Sequence, residues 1–452
     1  MLIEKHLQTR WVRQMVVLTM LVFFTMLPAN AIGDTGSIST AEHEPTVAVE
    51  WMDLLYRVVE SESLSAPAAA RVYGYGGVTL YEAVVNGMPE NFSLTGQVQD
   101  LPMMPFPDED VVLDWPSVAN SALAVVTPNL FIDPSESTLT AVDDKYAELV
   151  ELRSSEVEKT VLDDSLAYGE LIGNTLVEWI ADDGYADIVN KPYELPTGGP
   201  EFYVLTNPDI APIDPYWGTL RPLAMFYPEA CNQPLNVEFS DDPDSTFYAQ
   251  ALEVMNVANN RTKEQEEVAR FWVDTPGITG APSGHWVSIE NQLVEQLDMN
   301  LQQAAGMYVQ VNMALSDAFI SAWVVKYEVM LLRPETYIQT YIQRNWQPYV
   351  SSPAFPEYPS GHSVVSGAAS EVLTSLLGAV AFTDRTHLIY DHEPLQRSFT
   401  SFEHAEQEAA FSRMFGGIHY RAAIENGVRQ GRCVGQQVLN NIRLGPIQQG
   451  TE

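Results

Sequence analysis

The chain has 452 residues, 46% of them hydrophobic, and a formal net charge of −37, so it can bury a large core beneath a strongly acidic surface. Such a surface repels nucleic acid and anionic lipid, which excludes both as partners of the bulk surface. Cys231 and Cys433 are the only cysteines, and no Cys-x-x-Cys or Cys/His cluster exists, so a structural zinc site is not expected. The two thiols are left open to a disulfide or to separate burial.

In chain order, Lys5, Arg10 and Arg13 precede an apolar run over 15–27 and the small-residue stretch Ala29-Asn30-Ala31. This reads as a cleaved signal peptide over 1–31, which makes the mature chain secreted or periplasmic. Its loss removes three cations and one acid and moves the formal charge to −39. The run is too short to span a bilayer, and no other stretch reaches about 18 uninterrupted apolar residues, so stable membrane insertion is not expected.

Helical periodicity covers 46–60 and 68–86, with Pro67 suited to a first turn. Gly74-Tyr75-Gly76-Gly77 lacks the third glycine and the preceding strand of a dinucleotide site, and is read as close helix packing. A loop is expected over 90–115, then helices over 117–126, 138–158 and 165–182. From 184 to 244 the helix signal fails among frequent Pro, Gly, Asn and Asp, which predicts a lid or an ordered excursion packed on the bundle. Further helices are predicted over 245–273 and 286–332, broken at Thr275-Pro276-Gly277 and at Pro282-Ser283-Gly284-His285. Another follows Pro359, on the stripe Val364, Val365, Ala368, Ala369, Val372, Leu373, Leu376 and Leu377. A last one runs from near His419 toward Leu444. No period-2 strand run is evident, so the fold class is all-α: an N-terminal helical region with a long Pro/Gly-rich loop (32–244) and a C-terminal helical catalytic region (245–452), expected to pack as one compact unit.

Three blocks carry chemistry. In SAWVVKYEVMLLRPETY (321–337), Lys326 and Arg333 fall on the apolar stripe of Leu315, Phe319, Ala322 and Met330, so both should point inward. A buried cation is costly unless an anion meets it. Pro334 is expected to end or bend the helix just after Arg333, freeing its guanidinium for carboxylate partners or an oxyanion. In FPEYPSGHS (355–363), Ser360 is placed to cap a helix that His362 opens, and Gly361 lets backbone approach a ligand. The helix dipole lowers the pKa of His362, which suits general acid/base work. In SRMFGGIHY (412–420), Gly416-Gly417 suggests a turn that brings Arg413 and His419 to one point. Together Lys326, Arg333 and Arg413 with Ser360 and Gly361 describe a receptor for a tetrahedral oxyanion, vanadate or phosphate.

The ordered triple, Lys-x6-Arg-Pro, then Pro-Ser-Gly-His, then Ser-Arg-x5-His, resembles the vanadium-dependent haloperoxidases and the related type 2 phosphatidic acid phosphatases. Tyr216-Trp217-Gly218-Thr219-Leu220-Arg221-Pro222 also resembles a stretch of bacterial haloperoxidases. The resemblance implies a helical-bundle fold with long ordered loops. In it vanadate is the cofactor: His419 is the ligand to the metal, His362 is the acid/base, and Lys326, Arg333, Ser360, Gly361 and Arg413 hold the oxygens. Hydrogen peroxide activated there, with Lys326 polarising it, would oxidise a halide to hypohalous acid. Trp323 and Phe355 match halide-pocket positions, and likeness to secreted bacterial enzymes favours iodide or bromide. In a phosphatase the same site would work through a phosphohistidine on His419, making a secreted acid phosphatase the alternative. Many relatives carry an acid four residues after the last His; Ala423 stands there, so another acid or a carbonyl must orient His419. Asp274 is the candidate partner of Arg413. His285 is read as an entrance or inert loop residue, and His43, His387, His392 and His404 as surface residues.

Overall fold

The computed structural model describes residues 36–390 and 396–445. The first half holds α1 (Thr46–Ser61), α2 (Ala66–Val84), α3 (Trp115–Asn129), α4 (Glu136–Ser154), α5 (Lys159–Ala181) and the single turn α6 (Tyr185–Ile188). The second holds α7 (Thr246–Asn259), α8 (Lys263–Phe271), α9 (Ala281–Gln296), α10 (Leu301–Val329), α11 (Pro334–Tyr341), α12 (Gly361–Leu377), α13 (Phe402–Phe415) and α14 (Arg421–Asn441). Helix starts follow their capping residues. The Ser65 side chain accepts from Ala68 N with Pro67 in the first turn, and Asn300 forms a reciprocal capping box with Gln303.

The axis of the molecule is α10, about 43 Å long at 1.5 Å per residue. It packs on α2, α12 and α14, and one apolar cluster draws buried residues from Val47 through Ile442. Close approach explains the glycines of α2. A Cβ on Gly74 would stand 2.8 Å from Ser316 Cβ, and one on Gly77 3.0 Å from the Tyr308 carbonyl. In the same way Gly431 of α14 rests on the Val364 carbonyl of α12, where a Cβ would come within 2.0 Å.

Several expected boundaries shift. The helix carrying Lys326 ends at Val329, not beside Pro334: Met330 takes a left-handed conformation, and Arg333 is the extended N-cap of α11, with Pro334 in its first turn. Pro282 to His285 do not interrupt a helix but lie in the first turn and a half of α9, where proline is tolerated. A pair of short antiparallel strands, β1 (Phe382–Asp384) and β2 (Arg397–Phe399), forms where no strand was expected, because three residues are too few for a periodic signal.

The stretch 184–244 is an ordered excursion. Its backbone pairs with the segment after α10, from Tyr203 N to the Met330 carbonyl and from Leu332 N to the Glu201 carbonyl, and Ile213 N reaches the Ala354 carbonyl. Buried Asp317 of α10 accepts from the amides of Leu223, Ala224 and Met225 at 2.7, 2.9 and 2.9 Å. A disulfide joins Cys231 to Cys433 across 202 residues and ties the excursion to α14. Among the described residues no helix is long and apolar enough to cross a membrane. The 1–31 segment and His392 lie outside the described residues.

Candidate active site

Three turns converge at one end of α10. Ser360 caps α12, its hydroxyl accepting from Ser363 N, and Gly361 and His362 form the first turn. The end of α13 carries Arg413. Gly417, in the left-handed region at φ +83°, then reverses the chain so that His419 returns to the same place. Arg333 enters from the extended segment after α10. A cavity of about 670 Å³ opens onto this point, lined by Gly361, His362, Arg413 and His419 on one side and by Phe319, Trp323 and Phe355 on another.

His419 is buried and its tautomer follows from its neighbours. Nδ1 lies 2.9 Å from the Glu357 carboxylate, and Nε2 lies 3.2 Å from Arg333 Nη1. A guanidinium can only donate, so Nε2 must present a lone pair while Nδ1–H is held by Glu357. Burial, followed by the charges of Arg333, Lys326, Arg413 and His362, keeps the imidazole well below its ordinary pKa and so neutral. Burial also pushes Glu357 up to about 7, against its bond from Tyr420 N and the pull of Arg333 and Lys326. Glu357 is thus the acid that orients His419, taking the place left by Ala423. It lies inside the FPEYPSGHS block, where the sequence offered only a loop acid; the return of 418–420 onto it is a tertiary fact.

His362 is 17% exposed, toward the cavity, and its Nε2 accepts from Arg413 Nη1 at 3.2 Å. Burial and then the charges of Arg413 and His285 hold it well below its usual value, leaving a neutral base. Arg413 also donates to the Trp272 carbonyl, and Arg333 donates to the Phe355 and Ile418 carbonyls at 3.0 and 3.1 Å. That leaves Arg333 Nη2 and Arg413 Nε buried without a hydrogen-bond partner among the described residues. An unmet buried donor costs about 1–3 kcal/mol, more when charged, so two guanidinium donors beside a helix N-terminus mark a place for an oxyanion. The donor set fits vanadate: fixed guanidinium forks, backbone amides, and one imidazole lone pair.

Two expected residues sit differently. The Lys326 ammonium is fully buried but spends its hydrogens on the carbonyls of Pro356 and Glu357, at 3.0 and 3.1 Å, and on that of Pro359. It therefore braces the segment that presents Ser360. Asp274 does not hydrogen-bond Arg413; it bonds His285 at 2.9 Å and turns its other oxygen toward His362 Nε2, 3.8 Å away. The surface expectation fails for His387, whose Nε2 donates to the buried Phe271 carbonyl at 2.6 Å, and His285 is enclosed rather than at an entrance. His43 is half-buried, and His404 is exposed as expected. Trp323 and Phe355 pack against each other at a tilt of 51° with ring centroids 5.0 Å apart and wall the cavity beside Gly361.

A solved structure described as the first bacterial vanadium-dependent iodoperoxidase is 33% identical to the chain with a TM-score of 0.83, covering 90% of this chain and 99% of that one. The chain belongs to the vanadium-dependent haloperoxidases. The family model of the VCPO second helical-bundle domain matches residues 306–444, which holds all three sequence blocks. Apo and holo structures of a bacterial vanadium-dependent chloroperoxidase share the haloperoxidase fold at 14% identity, with TM-scores of 0.63 and 0.60. Each covers 89% of this chain, over 98% and 93% of their own lengths. No curated protein matches significantly. The protein is a vanadate haloperoxidase by descent, and its helical fold is that of the family.

Proposed function

We propose that this haloperoxidase uses vanadate and hydrogen peroxide to oxidise iodide or bromide to the hypohalous acid. The observation that carries the reading is the lone pair on His419 Nε2, fixed by Glu357 and flanked by unmet guanidinium donors of Arg333 and Arg413. Bound vanadate would supply the electrophilic centre at which peroxide is activated and halide oxidised. The chain's own residues do the rest. His419 Nε2 is the ligand to the metal, Arg333 and Arg413 neutralise oxyanion charge, and the amides opening α12 donate to its oxygens, with Gly361 leaving them uncovered. Lys326 adds positive potential and holds the Ser360 segment. Oxidation of a halide by peroxide consumes one proton, and His362 Nε2, at the cavity edge, is placed to relay it.

The 33% identical iodoperoxidase supports iodide first. The wall of Trp323 and Phe355 offers a large, weakly hydrated halide a poorly solvated approach. Export belongs to the same proposal, supported by the leader-like sequence over 1–31 and by the Cys231–Cys433 disulfide, which persists in oxidising compartments. The test is steady-state iodide and bromide oxidation by metal-freed protein titrated with orthovanadate, with p-nitrophenyl phosphate hydrolysis followed in parallel. Halide oxidation that appears only with vanadate is expected. Silence toward every halide alongside vanadate-inhibited phosphate hydrolysis would contradict it.

A further inference from the structure

Behind His362 lies a charged cluster that the chemistry above does not use. His285, near the start of α9, is buried with its ring stacked on Trp272 at 4.3 Å and edged by Phe271 and His387 at 5.1 and 5.2 Å. Its two nitrogens each meet a carboxylate: Nδ1 to Asp274 Oδ1 at 2.9 Å and Nε2 to Asp384 Oδ2 at 2.7 Å. Carboxylates only accept, so the ring between them carries both protons. Asp384, at the end of β1, is itself fixed by the amide and hydroxyl of Thr386 at 2.9 and 2.7 Å. The line ends at Asp274 Oδ2, which is buried, has no hydrogen-bond partner among the described residues, and lies 3.8 Å from His362 Nε2.

We propose that His285 and Asp384 are positioning residues: they hold one oxygen of Asp274, so that its carboxylate faces His362 and does not rotate onto Arg413 to quench that guanidinium. A carboxylate free to turn beside a buried arginine forms a forked ion pair, because such pairs are the strongest available there. His285 satisfies one oxygen and removes that option. Arg413 Nε then stays without a hydrogen-bond partner among the described residues, and the second Asp274 oxygen stays 3.8 Å from His362 Nε2. Asp274, His285 and His387 also bring ligand atoms within 4.8 Å of one another, the spacing of a divalent-cation site. A cation there would have to displace the proton between His285 and Asp274, and the two short carboxylate contacts on His285 favour the proton.

The inference rests on the oxyanion reading of the site, and its test reads anion affinity, not turnover. Calorimetric titration of metal-freed protein with orthovanadate, and separately with inorganic phosphate, is made on wild type, His285→Gln, Asp384→Asn, Thr386→Val, Asp274→Asn and the Asp274→Asn/His285→Gln double variant. Thr386→Val loosens Asp384 without stranding a charge and covers the case in which a charge-deleting variant fails to fold. Expected is a loss of roughly tenfold or more in affinity for both anions in His285→Gln and Asp384→Asn, and a smaller loss in Thr386→Val. The double variant should bind no worse than Asp274→Asn alone, since His285 acts only through Asp274. Affinities unchanged in all folded relay variants, or additive losses in the double variant, would overturn the relay. A wild type that binds phosphate but not vanadate would contradict the cofactor and leave the relay standing; one that binds neither would overturn both.

Discussion

Two side chains at the centre of the site make opposite demands on their surroundings. Gly361 must be small: a Cβ there would meet only Phe319 and Trp323, each at 3.6 Å, an ordinary contact, yet it would stand in the cavity. Gly361→Ala should therefore fold with wild-type Tm while orthovanadate affinity falls tenfold or more, about 1.4 kcal/mol, as read by calorimetry. Glu357 must be an acceptor for His419 Nδ1–H and for Tyr420 N at 2.8 Å. Glu357→Gln keeps the volume but weakens the hold on the imidazole. By analogy with outer partners of metal-bound histidines, kcat/KM for iodide should drop about 10–100-fold.

Among the helices, α10 does two jobs, and Asp317 joins them. Its carboxylate collects three amides of the 184–244 excursion, and burial pushes its pKa up to about 6 against those bonds. Asp317→Asn would turn an amide donor toward backbone donors. That should cost about 1–3 kcal/mol in urea unfolding, with little change in anion affinity, because the hydrogen bonds of Asp317 go to the excursion and not to the site. At this scale the sequence was readable where a period or a cap speaks for itself. Val364 through Leu377 announced α12, Ser360 its cap, and Gly416-Gly417 the turn that returns His419. Opaque were features set by distant contacts: the left-handed stop at Met330, the three-residue strands, and the burial of His285 and His387 against a segment about 100 residues away from the one and 116 from the other. Lys326 was legible as buried, but its carbonyl partners were not, since they belong to the segment that folds over it.

For the whole molecule, pH and the disulfide give the sharpest expectations. Burial opposes the charge on His285, but Asp274 and Asp384 outweigh it and raise the ring to about 10. A raised base stabilises fully below its unfolded value near 6.5 and loses that contribution as pH climbs toward 10, at up to about 1.4 kcal/mol per pH unit. The acids raised to about 7, Glu82 and Glu357, finish releasing their protons in the lower half of the pH 7–9 window and add to the fall there, whereas the lowered His362 and His419 already contribute in full above 6.5. Between pH 7 and 9 the Tm of wild type should fall, and in His285→Gln the fall should be shallower, most clearly above pH 8; thermal denaturation across the window reads both. Reduction of Cys231–Cys433, which closes a loop across 202 residues, should lower unfolding stability by up to about 5 kcal/mol in a chain-entropy estimate, measured as the midpoint shift on adding reductant.

The most direct measurement is the position of vanadium in crystals of the protein soaked with orthovanadate. Vanadium is expected in the cavity at the start of α12, within bonding distance of His419 Nε2 and with its oxygens met by Arg333 and Arg413. Vanadium found elsewhere, or an anion held in the cavity without contact to His419, would contradict the site described here.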